Sequence, residues 1–232
     1  MTSALLSSWQ AAGNVYRLTS ERLDPDRARA LVGDADGVLE IVEAAESWAE
    51  VVIWNPDGST AEMSGNGTRI VAAWLSERTG MRNVVVRVGS REVAARVLES
   101  GEIEQDLGTV EVGKPEVVDG IELTPVSVGN PHAVVGGDLS DIARVGPLLE
   151  AHPHFPRRTN VQVVRVDGHG EVTARVWERG VGETASSGTS AVAVAAATHG
   201  DGEVLVHFPG GDLRVRLEGG RAFLIGPAER VG

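Results

Sequence analysis

Two serines occupy matching places in a pair of glycine-containing signals. One signal reads Trp-Asn-Pro-Asp-Gly-Ser-Thr-Ala-Glu-Met-Ser-Gly-Asn-Gly, from Trp54 to Gly67. The other reads Trp-Glu-Arg-Gly-Val-Gly-Glu-Thr-Ala-Ser-Ser-Gly-Thr-Ser, from Trp177 to Ser190. They align without a gap at an offset of 123, so Trp54 falls on Trp177, Ser64 on Ser187 and Gly65 on Gly188. Each signal runs into a helical pattern, and a helix start offers unpaired N–H donors with about half a positive charge. Gly65 and Asn66 open one helix, Gly188 and Thr189 the other, and such starts hold anions. A carboxylate held there gains charge when a proton leaves the neighbouring carbon, and one donor aimed at that charge is worth ~3–4 kcal/mol. Ser64 and Ser187 on opposite faces of that carbon form a pair that removes and returns the proton. The competing reading is that each serine is only a helix N-cap, a position serine favours.

Other polar residues offer binding or proton transfer. The run Gly129-Asn130-Pro131-His132 puts an amide and an imidazole after a strand, and His132 reads as a proton carrier or as a structural hydrogen bonder. Asn160 precedes a strand, where it can cap a turn. Glu178 and Arg179 can form a surface pair. His152 and His154 lack an apparent third ligand, so no metal site is expected. Lys114 is the only lysine, and it lies in a turn-like stretch. That argues against a cofactor such as pyridoxal phosphate, which needs a lysine, and no cofactor is expected.

These residues need a frame, and 232 residues with 42% hydrophobic content can bury a core as one large domain or two small ones. The net charge of -12, without a basic cluster, argues against nucleic acid and anionic membrane as partners. No apolar run approaches ~18 residues, and Met1 to Ala12 does not read as a signal peptide. The chain has no cysteine, which excludes disulfides and thiol catalysis and makes the cytoplasm the default location.

The repeat extends beyond the two signals. Residues 84–96 resemble 204–216, each alternating apolar and polar about a glycine turn as a β-hairpin does. Both follow a helix ending at a glycine, Gly80 and Gly200. Helices are expected at 25–33, 67–79, 139–151 and 188–199. The second and fourth are apolar nearly all round, as buried helices are. The expected fold is α+β, with two pseudo-symmetric domains, residues 1–118 and 119–232. Each is a curved, mostly antiparallel, barrel-like sheet around a central buried helix.

Glu-Met-Ser-Gly-Asn-Gly-Thr-Arg (62–69) and Glu-Arg-Gly-Val-Gly-Glu-Thr-Ala-Ser-Ser-Gly-Thr (178–189) resemble the two signatures of diaminopimelate epimerase. Ala-Gly-Asn (12–14), Asp-Ala-Asp-Gly-Val-Leu (34–39), Asn-Pro-Asp-Gly-Ser (55–59), Gly-Asn-Pro-His (129–132) and Thr-Asn-Val (159–161) match in the family's order. The resemblance implies a homodimeric isomerase independent of pyridoxal phosphate, interconverting LL- and meso-diaminopimelate on the route to lysine and peptidoglycan. By the same resemblance Asn14, Asn55, Asn130 and Asn160 hold the small amino-acid substrate, with Glu178 and Arg179. Gly65, Asn66, Gly188 and Thr189 donate N–H groups to its carboxylate, and His132 and Glu178 assist the proton transfers. The family's two bases are cysteines, which fall on Ser64 and Ser187 here, and Ser190 stands where the family usually has glycine. A related isomerase of another amino or carboxylic acid, or a relative that binds without turnover, stays open.

Overall fold

Both halves of the chain build the same succession of strand pairings. The computed structural model describes residues 6–231. In the first half Leu6–Ala11 and Asn14–Thr19 form a hairpin, and Asn14–Thr19 pairs in parallel with Gly37–Ala44. Gly37–Ala44 turns back onto Trp48–Trp54, which lies parallel to Asn83–Val88; Arg91–Val97 and Ile103–Thr109 follow antiparallel. The second half repeats this order with Ile121–Ser127, Pro131–Gly136, Asn160–Gly168, Glu171–Glu178, Gly202–Phe208, Gly211–Glu218 and Arg221–Gly226.

A parallel pair needs a crossover, and helices supply all of them: α1 (Pro25–Val32), α2 (Gly65–Thr79), α3 (Ile142–Glu150) and α4 (Gly188–Thr198). These are the helices expected from the sequence, with a 3-10 turn, Leu139–Asp141, ahead of α3. Gly80 caps α2 in the left-handed conformation (φ 75°), whereas α4 is capped by His199, one residue before Gly200.

The fold is α+β and mostly sheet, with a buried helix in each half. Helix α2 packs against Leu6–Ala11, Trp48–Trp54, Asn83–Val88 and Arg91–Val97; α4 packs against Ile121–Ser127, Pro131–Gly136, Asn160–Gly168 and Gly211–Glu218. Strands on several sides bury α2 from Gly65 to Leu75 and α4 from Gly188 to Ala195, while Glu77 and Arg78 in the last turn of α2 are exposed. Ile70, Val71 and Leu75 are fully buried, as are Val192 and Val194, and each contributes roughly 1.5–3 kcal/mol through burial.

The chain forms two compact units. One runs to Gln105 and takes in the C-terminal strand from Gly226; the other is Asp106–Ile225. The sequence reading divides the chain at 118 and 119. Glu111–Val112 and Glu116–Val118 both pair with Ile121–Ser127, which draws the connector into the second unit. Glu229–Val231 pairs with Leu6–Ala11 and so belongs to the first. Among the described residues no helix is long and apolar enough to cross a membrane.

Candidate active site

In the first unit the polar residues gather at the start of α2. Asn14 and Tyr16 are two apart on one strand and therefore share a face. Ser64 has an extended backbone (φ −140°, ψ 118°). Its Oγ accepts the Gly67 N–H at 3.0 Å and lies 3.1 Å from Tyr16 Oη. Ser64 is thus an N-cap, worth about 1 kcal/mol, that also touches a titratable hydroxyl. Gly67 allows this closeness: a Cβ there would lie 3.0 Å from Leu39 Cδ2 and 3.3 Å from Ser64 Oγ. Asn66 Nδ2 donates to Asn14 Oδ1, and Asn66 Oδ1 accepts from Arg69 Nη2 at 2.6 Å. Arg69 is fully buried. Burial brings its pKa down to about 10, opposed by attraction to Tyr16, so it remains a cation at neutral pH. Asn55 holds its own turn, donating from Nδ2 to Ser59 Oγ at 3.0 Å.

In the second unit the corresponding residues gather at the start of α4. Ser187 is 6% exposed, has an extended backbone (φ −149°, ψ 128°) and makes no side-chain cap bond. Both serines thus occupy the N-cap position of their helices, but only Ser64 makes the side-chain cap bond. Asn130 Nδ2 donates to Thr189 Oγ1 at 3.3 Å, and Asn130 Oδ1 meets His132 Nε2 at 3.0 Å. Gln162 Nε2 donates to His132 Nδ1 at 3.0 Å and to Ser190 Oγ at 2.9 Å. With Nδ1 accepting, the imidazole carries its proton on Nε2 and donates it to Asn130. Asn160 Oδ1 accepts the Arg179 N–H at 2.9 Å and Nδ2 donates to Pro131 O at 3.0 Å, tying the Glu178–Arg179 turn to the strand of His132. Glu178 Oε1 accepts from Thr184 Oγ1 at 2.7 Å, and Arg179 Nη1 donates to Arg157 O at 3.0 Å.

The repeated tryptophans are held alike. Trp54 Nε1 donates to the buried Glu40 at 2.9 Å, and Trp177 Nε1 to the buried Glu150 at 2.9 Å. Glu150 also accepts the Gly180 N–H at 2.6 Å and a bond from Arg158. Donors converging on one buried carboxylate set the turn that carries Glu178 and Arg179. Away from these residues His152 and His154 pair with Asp119 and Glu116. Among the described residues no group of three or more His, Asp or Glu is placed to hold a metal ion.

Sequence reasoning passed over Tyr16, Arg69, Gln162, Glu40 and Glu150. Tyr16 and Gln162 each lie two residues beyond a chosen asparagine, so strand periodicity points to them. Arg69 is a cation directly before the apolar run 70–75 of α2, a second usable signal. The two glutamates gave none, because only folding brings them to the indoles.

His132 makes the protein acid-sensitive. Burial above all, and the nearby Arg179 charge, lower its pKa from 6.5 to about 3. The unfolded chain takes up this proton more readily than the folded one. Stability is therefore full above about pH 6.5 and falls by about 1.4 kcal/mol per pH unit as pH drops towards 3. Denaturant unfolding at about pH 6 and about pH 4 should show this slope in excess of that of His132→Gln. Equal slopes would remove His132 as the cause.

The sequence profile of the diaminopimelate epimerase family matches residues 124–231. A protein named diaminopimelate epimerase from Desulforudis audaxviator is 38% identical over 236 residues, covering 88% of this chain and 84% of that one. One of the same name from Synechocystis sp. is 32% identical, covering 97% and 96%. Among solved structures, a predicted epimerase from Pseudomonas aeruginosa superposes with a TM-score of 0.80 at 17% identity. The match covers 99% of this chain and 98% of that one, and it supports the fold.

Proposed function

This chain belongs to the diaminopimelate epimerase family, and on that premise we propose that it interconverts LL- and meso-diaminopimelate. The Cα proton leaves one face and another is returned on the opposite face, without a cofactor. The observation that carries this reading is the doubled arrangement. Each unit sets a serine immediately before a buried helix, whose first-turn N–H groups have no intrahelical acceptor.

In this reading Ser64 and Ser187 are the proton carriers, one for each face. The N–H groups of Gly65, Asn66, Gly188 and Thr189 hold the reacting carboxylate and strengthen as it takes on the charge of the carbanion. Asn14, Asn55, Asn130 and Asn160, with Glu178 and Arg179, hold the remaining polar groups of the amino acid. Glu178 assists at Ser187. His132, neutral and engaged at both ring nitrogens, assists by orienting Asn130. The proposed setting is lysine and peptidoglycan synthesis in the cytoplasm, with assembly as a homodimer.

Incubation with LL-diaminopimelate in deuterium oxide tests the reading. Deuterium should enter at Cα with inversion to the meso isomer. Tight binding with no exchange would make the protein an amino-acid binder. Exchange confined to another amino or carboxylic acid would move the substrate assignment.

A further inference from the structure

We infer that Tyr16 exchanges the proton of Ser64, so that a phenol–alcohol pair, rather than an alcohol alone, handles the proton in the first unit. The inference rests on the function proposed above. Tyr16 Oη lies 3.1 Å from Ser64 Oγ, and either oxygen can be the donor. Ser64 Oγ already accepts the Gly67 N–H at 3.0 Å, which leaves one lone pair and its own proton for other partners. A group that is a base toward one isomer and an acid toward the other must pass protons both ways, and this contact permits both directions.

The ring is held in place by its neighbours. Tyr16 stands opposite Gly37 on the parallel strand and Trp9 on the antiparallel one. A Cβ on Gly37 would lie 2.8 Å from Tyr16 Cε1 and 2.6 Å from Trp54 O. The bare glycine leaves the space that the ring fills, so the hydroxyl is delivered to Ser64 by rigid strands.

The charged groups around the phenol are of both signs. Helix α2 contributes the buried Arg69 cation, whose pKa burial lowers to about 10 against an attraction between its charge and Tyr16. Strand Leu6–Ala11 carries no titratable side chain. Gly37–Ala44 contributes Glu40, whose oxygens meet Trp54 Nε1 and Arg22. Asp36, just before that strand, accepts the Val15 N–H.

The proton count closes. When Ser64 acts as base, the Cα–H bond breaks and its electron pair stays on carbon, delocalised into the carboxylate. The Cα proton goes to Ser64 Oγ, and the serine's own proton goes to the Tyr16 phenolate oxygen. When Ser64 acts as acid, it protonates the carbanion and takes the phenol's proton. Tyrosine ionises near pH ~10, within reach of experiment, whereas a serine alcohol does not.

Tyr16→Phe keeps the ring over Gly37 and removes the oxygen. Deuterium exchange on the Ser64 face should fall roughly 100-fold, with KM nearly unchanged. The rise of rate with pH on the alkaline side should disappear. Tyr16 is the only tyrosine of the 232 residues, so full replacement by 3-fluorotyrosine reports on it alone and leaves the fold intact. Fluorine acidifies the phenol, and the alkaline limb should move to lower pH. An unchanged rate in Tyr16→Phe, or a limb that stays in place with fluorotyrosine, overturns the relay while leaving the proposed function standing. Absence of exchange in the unsubstituted protein overturns both.

Discussion

Changing Ser64→Cys together with Ser187→Cys should raise LL-to-meso conversion near neutral pH by roughly 100-fold or more, the lower range of what a well-matched general base contributes. An alcohol is rarely ionised in water. A free thiol has pKa ~8.5, and a helix N-terminus lowers it further. The swap changes little volume, so the surrounding packing should accept it. The two sites differ in what they give up. Ser64→Cys weakens a cap bond to Gly67 worth about 1 kcal/mol, whereas Ser187 makes no such bond. They also differ in what they gain. Ser64 already touches Tyr16, so Ser187→Cys should be the more effective single change. Neither single change should match the pair, because inversion needs a competent group on each face. Conversion rate and Cα exchange are the measurements. A double variant that binds diaminopimelate and gains neither would show that the serines do not limit the reaction.

Ser187→Ala should reduce epimerisation roughly 1000-fold without unfolding the protein, since no side-chain cap bond is lost. Exchange should survive in only one isomer, the one whose Cα–H meets Ser64, and it should proceed with retention. Ser64→Ala should give the mirror result, with a small loss of stability from its cap. The pattern of isomers that exchange deuterium distinguishes two proton carriers from one. If both isomers still exchange in Ser187→Ala, Ser187 takes no part in the chemistry.

The frame of this protein was legible in its sequence. The gapless match of the two serine signals, the repeated hairpin pattern and two helices apolar on every face led to an α+β fold of two similar parts. Each of these is a local property. Periodicity along a strand or helix states which faces must be covered, and two stretches with the same periodicity fold alike. The serines could be placed at helix starts for the same reason.

What each side chain touches was decided only by folding. The sequence offers one account for both serines, an N-cap or a proton carrier. The structure separates them: the Ser64 hydroxyl makes a cap bond to Gly67 and meets Tyr16, while the Ser187 side chain makes no cap bond. His132 read as a possible proton carrier from its position after Gly-Asn-Pro. Packing buries it and engages both ring nitrogens, which holds it neutral and turns it towards orienting Asn130. Asn160 read as a turn cap or a substrate ligand, and tertiary structure makes it a clamp between Arg179 and Pro131. Glu150 is 27 residues from the Trp177 it serves, and Tyr16 is 48 from Ser64. Contacts across such distances depend on strand register and crossover. No local pattern encodes them, which is why the elements could be read from the chain and the hydrogen-bond network could not.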